Sequence, residues 1–205
     1  MREILRWYFV TFYGIGLVVV VVAFVSHLFS GKTIDRPPIG VWIYAAAVVG
    51  PLGWLLPPAL LLLRVGELRA QQPPVELVGL GISLYATVFL VWAFTSLGRF
   101  FVPYVATFKD HALVTTGPFR YSRHPIYSAG LALFLGAGLG TLNGYLIGFW
   151  PIVVVAFWIY ARLEERLLRE KFGTAYETYA QETGFLVPRF LRLSTRTPRP
   201  PTAAV

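Results

Sequence analysis

Residues 111–127 of this 205-residue chain bring together side chains that can bind an anion. The segment holds two of the three histidines, His111 and His124, and contains the run Arg123-His124-Pro125. Proline is favoured at the first position of a helix, so we predict that a helix begins at Pro125. The free amides and positive dipole end of that helix, with Arg123 and His124 beside them, would bind a negatively charged group. The alternative is that His124 only caps the helix and that the arginines contact lipid phosphates.

A second polar segment, residues 162–179, predicts an amphipathic helix. Its leucine, phenylalanine and tyrosine side chains recur at helical spacing, which favours an apolar face against a membrane surface or other helices. Of two adjacent carboxylates, Glu165 has a favourable partner four residues on, Arg169, whereas Glu164 has no opposite charge three or four positions away. We interpret most of these charges as a solvated face and single out Glu164 as the functional candidate.

The elements that must position these residues are strongly apolar. Hydrophobic residues make up 56% of the chain and charged residues 14%, against about 25% charged in soluble domains. This composition excludes a disordered chain, a coiled coil and an ordinary water-soluble enzyme. The net charge of +8 is spread between apolar runs, so we expect no nucleic-acid partner. With no cysteine and three histidines, we expect no metal site either.

Four uncharged stretches are long enough to cross a bilayer as helices, which takes about 20 residues. They are residues 7–31, 37–63, 77–98 and 125–161. The last has nearly twice the length of one span and contains Thr141-Leu142-Asn143-Gly144 near its middle, so we predict a hairpin with a turn there. The predicted fold is an all-α integral membrane protein with five transmembrane helices, the last two a helical hairpin, and a cytosolic C-terminal amphipathic helix.

The positive-inside rule predicts the orientation of these spans. Of the 18 Lys and Arg residues, four fall on the side of the N-terminus and fourteen on the side of the C-terminus. This split places the C-terminus and both polar segments in the cytosol. We predict one domain in three parts: N-terminal spans in residues 1–98, a catalytic half in residues 99–193 and a flexible tail in residues 194–205.

The two polar segments together resemble a known family. Gly117 is followed by Arg123-His124-Pro125 and Tyr127, and about 40 residues later a Glu-Glu pair precedes Phe172-Gly173. In this order, over roughly residues 100–192, the chain resembles the isoprenylcysteine carboxyl methyltransferase family, which is related to phospholipid N-methyltransferases. The resemblance implies a membrane-embedded enzyme that uses S-adenosylmethionine and releases S-adenosylhomocysteine.

The resemblance also implies site residues, the larger set being cofactor contacts. These contacts are Tyr104, His111, Leu113, Val114, Phe119, His124, Pro125, Ile126, Tyr127 and Glu164. The catalytic candidates are Arg123, His124 and Glu164. The family usually has Tyr where this chain has Phe119. Its eukaryotic members have a substrate arginine where this chain has Tyr160, and Arg162 is a nearby substitute, so Tyr160 and Arg162 are the predicted substrate-binding residues.

The chemistry of S-adenosylmethionine agrees with these side chains. The helix start with Arg123 and His124 suits its carboxylate, Glu164 can accept hydrogen bonds from its ammonium or ribose, and aromatic rings can contact its adenine or sulfonium. The cofactor brings the reactive carbon, so the protein mainly aligns the reactants and excludes water. A carboxylate acceptor needs no general base at neutral pH, whereas an amine acceptor would use His124 or Glu164 as the base.

We therefore predict methyl transfer, at the cytosolic membrane face, to a lipophilic or prenylated acceptor that enters from the bilayer lipids. A prenylcysteine-type carboxylate is favoured, and a phospholipid or small amphiphile methylated on N, O or S is the first alternative. A second alternative is an NADPH-dependent enzyme similar to membrane sterol reductases. A third is a non-catalytic membrane scaffold.

Overall fold

The structure, a computed structural model, describes residues 2–29, 34–36, 55–68, 72–101, 107–108 and 112–189. The helices in this part are α1 (Arg2–Phe29), α2 (residues 55–62), α3 (Pro73–Leu97), α4 (Pro125–Thr141), α5 (Gly144–Phe172) and α6 (Thr174–Glu182). Short 3-10 helices cover Gly98–Phe100 and Gly117–Arg120. Two short strands, β1 (Ile34–Arg36) and β2 (Thr107–Phe108), pair antiparallel, with Ile34 opposite Phe108. The predicted all-α class is confirmed apart from this strand pair.

Among the described residues, α3 and α5 are long and apolar enough to cross a membrane, and α4 is a shorter apolar helix. Large apolar side chains on both long helices are exposed, for example Val88 on α3 and Ile152 on α5. Extended apolar surface of this kind is typical of a membrane or protein contact. Most of the second predicted span, residues 37–54, lies outside the described residues, so the count of five spans stays a prediction.

The hairpin predicted within residues 125–161 is confirmed. Helix α4 ends where Leu142 takes a left-handed conformation with a φ of 49°, and α5 begins after Asn143. The Asn143 side chain accepts a hydrogen bond from the Leu146 amide at 3.1 Å and donates one to the Val65 carbonyl at 2.9 Å. Asparagine thus caps α5 and attaches the turn to the loop after α2.

Small residues let α3 and α4 pack closely. A methyl group added at Gly79 would lie 2.2 Å from the Gly140 amide nitrogen, and one added at Gly136 would lie 2.1 Å from the Ser83 hydroxyl. Small residues four apart on each helix therefore allow the backbones to approach, as is common for helices in lipid. The close contact with α3 fixes the position of α4, whose first turn carries the candidate site.

Two buried clusters surround α4. One joins it to α1, α2 and α5 and includes Phe9, Leu61, Phe134 and Leu146. The other lies between α3 and α4 and is centred on apolar side chains such as Phe89. Helix α4 is therefore the central element of the described part of the chain.

Two helix boundaries differ from the predictions. Helix α3 begins at Pro73, ahead of the predicted start at residue 77, because proline in the first turn of a helix removes no required donor. The predicted amphipathic helix is divided at Gly173, whose φ is 52°. Helix α5 continues past the apolar stretch to Phe172, as predicted, but the tyrosines that follow lie on the separate helix α6.

Candidate active site

The candidate site lies where the start of α4 meets the polar end of α5. His124 directly precedes α4, and Pro125 occupies the first helical position, as predicted. The His124 imidazole lies between two carboxylates of α5: Nδ1 is 3.5 Å from Glu164 Oε2, and Nε2 is 3.6 Å from Glu165 Oε1. His124 and Glu164, which come from separate sequence motifs, are therefore in contact across the two helices.

The two adjacent glutamates have different surroundings. Consecutive helical residues point about 100° apart around the helix axis, so Glu164 and Glu165 face different ways. The Glu164 side chain is 38% exposed, whereas that of Glu165 is completely buried. The prediction of a solvated charged face is therefore wrong for Glu165. Glu164 is the carboxylate of the pair that solvent and a ligand can reach.

Arg123 connects these carboxylates to the chain beyond α6. Its Nε donates to Glu165 Oε1 at 2.6 Å, and its Nη1 donates to the Ala180 carbonyl at 2.6 Å and to the Thr183 carbonyl. We predicted that Arg123 would supply donors to a bound anion, but these donors are used within the protein. We refer to Arg123, His124, Glu164 and Glu165 as the imidazole site.

Residues 183–189 fold back over the residues that precede α4. The Arg123 amide donates to the Gly184 carbonyl at 2.8 Å, and the His124 amide donates to the Phe185 carbonyl at 3.3 Å. The Ser122 hydroxyl also donates to the Phe185 carbonyl, at 3.0 Å. The prediction of an open anion site at the helix start needs correction on this point. The chain itself satisfies the amides just before the helix, so side chains must do most of the ligand binding.

Aromatic rings enclose the His124 imidazole. The Tyr127 ring stacks on it, with ring centroids 5.5 Å apart and an interplanar angle of 14°, and Phe185 meets it edge-on at 5.2 Å. The Tyr127 hydroxyl hydrogen-bonds to Glu164. The Arg162 guanidinium lies 4.8 Å from the centre of the Phe185 ring. Tyr127 and Phe185 thus keep solvent from His124, while Glu164 stays exposed at the edge of the site.

The electrostatics of the site favour a charged His124. Burial by itself lowers the pKa of the imidazole, but hydrogen bonds and charge interactions with Glu164 and Glu165 raise it more, so the pKa lies above its ordinary value of 6.5. An imidazolium donates from both nitrogens and accepts from neither. His124 is therefore suited to binding an anion and poorly suited to removing a proton from an acceptor.

Three other predicted cofactor contacts lie further from the exposed carboxylate. Leu113 and Val114 are half-buried in the extended stretch before the second 3-10 helix. Phe119 is buried, and its carbonyl accepts a hydrogen bond from the Tyr179 hydroxyl at 2.7 Å. Ile126 packs against the cluster between α3 and α4. These residues support the walls of the site more directly than its polar centre.

The predicted substrate residues lie on α5 near Glu164. The Arg162 guanidinium is half-exposed and stacks on Trp158, 5.4 Å from the ring centre. The Tyr160 hydroxyl is buried and has no hydrogen-bond partner among the described residues. The predicted contacts Tyr104 and His111 lie outside those residues.

The side chains of the site fit S-adenosylmethionine. The exposed Glu164 carboxylate can accept hydrogen bonds from an ammonium group or a ribose diol, and a charged His124 can donate to a carboxylate. The buried Tyr160 hydroxyl needs a hydrogen-bond partner, which a ligand can supply. The donor and acceptor set therefore matches the polar groups of this cofactor.

Sequence reasoning missed two parts of the site. Glu165 has a local partner, Arg169, at 3.1 Å as predicted, but its buried partner Arg123 is 42 residues away in the chain. Phe185 belongs to none of the motifs, and it reaches His124 only because Gly184 pairs with Ser122. No local spacing rule links residues this far apart, so the tertiary structure alone identifies them.

Comparisons with known proteins agree with the resemblance. A family model described as phospholipid methyltransferase matches residues 75–175. The protein-S-isoprenylcysteine O-methyltransferase of Tribolium castaneum is 29% identical over 117 residues, which cover 54% of this chain and 41% of that protein. A probable protein-S-isoprenylcysteine O-methyltransferase of Oryza sativa subsp. indica is 33% identical over 118 residues, 53% of this chain and 58% of that protein. The cobalt-zinc-cadmium resistance protein CzcN of Cupriavidus metallidurans is 32% identical over 114 residues, 54% and 47% of the two chains.

The matched segments span about half the length of this chain and about half the length of these curated relatives. The family-model match begins in the first turn of α3 and ends just after α5, so it includes the whole imidazole site. The order of the motifs, the contact between His124 and Glu164, and the named relatives all agree. The chain belongs to the isoprenylcysteine carboxyl methyltransferase family, which is related to the phospholipid methyltransferases.

Proposed function

We propose that this protein is a membrane enzyme that transfers a methyl group from S-adenosylmethionine to a lipophilic acceptor. The observation that carries the proposal is the contact between His124 and Glu164, in which an imidazole and a half-exposed carboxylate from two helices meet inside the family-matched segment. The printed names of the Tribolium and rice relatives give the same class of reaction for those proteins.

The charges of the site residues suggest their roles. S-adenosylmethionine supplies the methyl group. Glu164 binds its ammonium or ribose hydroxyls, and the charged His124 donates hydrogen bonds to its carboxylate. Tyr127 and Phe185, which pack on His124, limit the access of water to this end of the site. The protein then contributes alignment and exclusion of water, and none of its residues has to act as the nucleophile.

We propose a prenylcysteine-type carboxylate as the acceptor. Arg162 is half-exposed and lies between the rings of Trp158 and Phe185, which keep its planar guanidinium oriented for a carboxylate. The Tyr160 hydroxyl is a second donor on the same helix. The raised pKa of His124 supports this choice, because a carboxylate acceptor requires no general base.

The lipid part of the acceptor is proposed to lie along α5. Exposed apolar side chains on this helix recur every three or four residues: Phe149, Ile152, Val155 and Trp158. A lipid chain lying along this row would bring its polar end to Arg162 and the imidazole site. The fourteen basic residues assigned to this side of the protein support a cytosolic location.

A phospholipid acceptor is the second candidate, and the description of the matching family model favours it. The amine of a phospholipid must lose a proton before it accepts a methyl group. Glu164 is the exposed carboxylate in a position to take that proton. The two candidates therefore differ in whether Glu164 has a chemical role or only a binding role.

The test supplies methyl-labelled S-adenosylmethionine to the purified full chain in lipid vesicles. One reaction contains an S-farnesylated cysteine and another contains phosphatidylethanolamine, and the labelled product is identified after extraction. We expect label on the farnesylated cysteine as a base-labile ester, whereas label on the phospholipid amine would favour the second candidate. Calorimetry with S-adenosylhomocysteine and with NADPH is run in parallel. Binding of NADPH alone, or of neither compound, would contradict the proposed function.

A further inference from the structure

We infer that Glu165 is a positioning residue: it holds His124 and Arg123 from the protein side and contacts neither cofactor nor acceptor. In one respect, that His124 binds the cofactor, the inference rests on the proposed function. Glu165 is fully buried, whereas its neighbour Glu164 is 38% exposed. A ligand that approaches the site from solvent therefore meets Glu164 and not Glu165.

Charged side chains from two elements surround the Glu165 carboxylate. Arg123 Nε is 2.6 Å from Oε1, and Arg169 Nη2 is 3.1 Å from Oε2. Arg162 Nη1 lies 3.8 Å from Oε2, and His124 Nε2 lies 3.6 Å from Oε1. Both oxygens are thus engaged by the protein, as a buried carboxylate requires. No oxygen of Glu165 needs a ligand to satisfy it.

Glu165 determines which edge of the His124 ring faces the ligand. Nε2 is directed at the buried Glu165, so Nδ1 is directed at the half-exposed Glu164. The identity of the group at one ring nitrogen commonly sets the orientation and proton state of the other. Without the Glu165 carboxylate, the ring would lose the contact that keeps its Nδ1 edge at the open side.

Glu165 also acts on His124 through Arg123. Arg123 binds Glu165 with Nε and binds the carbonyls of Ala180 and Thr183 with Nη1. Phe185, two residues further on, packs edge-on against the imidazole. Loss of the carboxylate would therefore loosen His124 from two directions, through the direct contact and through the returning segment.

The experiment compares Glu165→Gln and Glu165→Asp with Glu170→Gln as the matched control. Glu170 is on the same helix and pairs with the exposed Arg166, away from the imidazole site. The full chain is labelled with 15N-histidine, and its three imidazoles are followed by NMR as a function of pH; the signal of His124 is identified by its loss in His124→Gln. Affinity for S-adenosylhomocysteine and the melting temperature are measured on the same samples.

We expect Glu165→Gln to move the His124 titration to lower pH and to weaken S-adenosylhomocysteine binding about tenfold, the lower end of the effect of orienting partners at metal sites. Glu165→Asp keeps the charge one methylene further away, so its affinity should lie between the two. Glu170→Gln should change neither quantity. A lower melting temperature with unchanged titration and affinity would make Glu165 merely structural and overturn the inference.

Two further outcomes are also decisive. If Glu165→Gln does not fold, Glu165→Asp decides alone: His124 shifts and affinity equal to those of the unmodified protein would overturn the inference. If the unmodified protein does not bind S-adenosylhomocysteine, the proposed function fails. The His124 titration then still tests whether Glu165 positions the imidazole, because it needs no ligand.

Discussion

Two clusters of charged side chains lie at opposite ends of α4. The first, near the α4–α5 turn, contains three arginines and three glutamates and is called the arginine clasp: Arg2, Glu3, Arg6, Arg64, Glu67 and Glu76. The second is the imidazole site at the start of α4, which places a histidine between two carboxylates. Both clusters join several elements and both contain buried charges, yet they differ in what they offer to a ligand.

The charges of the arginine clasp are balanced and paired internally. Arg6 is 7% exposed, contacts Glu67 and lies 2.6 Å from Glu3. Arg2 lies 2.7 Å from Glu76 in the first turn of α3. The clasp therefore joins the start of α1 to the loop after α2 and to α3, which is the work of a structural network.

The imidazole site combines a buried half with a reachable half. Arg123 and Glu165 form an internal pair like those of the clasp, but Glu164 keeps its carboxylate partly in solvent beside a titratable imidazole. Burial and pairing are common to both clusters and do not distinguish them. The distinguishing feature is a perturbed titratable group next to a charge that a ligand can reach.

The largest expected effect comes from breaking the clasp. Arg6→Met should destabilise the protein by about 2 kcal/mol, because it leaves the partly buried Glu67 without its partner. The affinity for S-adenosylhomocysteine should not change. Thermal unfolding in detergent measures the loss, and Arg166→Met, at an exposed pair, is the control with an expected cost below about 1 kcal/mol. Equal losses in the two variants would contradict a structural role for the clasp.

The opposite result is expected at the exposed carboxylate of the site. Glu164→Gln should weaken S-adenosylhomocysteine binding at least tenfold, or about 1.4 kcal/mol, because a neutral amide accepts hydrogen bonds from an ammonium less strongly than a carboxylate. The melting temperature should stay near that of the unmodified protein. Calorimetry gives the affinity. Unchanged binding would show that the half-exposed glutamate is not a ligand of the cofactor.

A smaller effect is expected from pH. The folded-state pKa of His124 lies above its unfolded value of about 6.5, so its contribution to stability is complete below that pH and is lost as the pH rises through the folded-state pKa. The melting temperature of the unmodified protein should therefore fall over this rise relative to that of His124→Gln. Parallel pH profiles for the two proteins would contradict the charged state assigned to His124.

Much of the fold and part of the site could be predicted from local patterns. The hairpin turn at Asn143, the helix start at Pro125 and the extension of α5 past its apolar stretch each depend on a few consecutive residues. The selection of His124 and Glu164 depended on ordered motifs within short segments. Segments of this length are governed by helix capping and side-chain spacing, which are properties of neighbouring residues.

The amino-acid sequence by itself determined the class of protein, the places where α4 and α5 begin, and the pair of motifs that indicates the family. Only the tertiary structure decided that Glu165 is buried, that Arg123 is used within the protein, and that residues 183–189 cover the amides before α4. The physical reason is that burial and pairing depend on which distant segments pack together. Arg123 finds its partner 42 residues away, a separation that helix periodicity and capping rules do not cover.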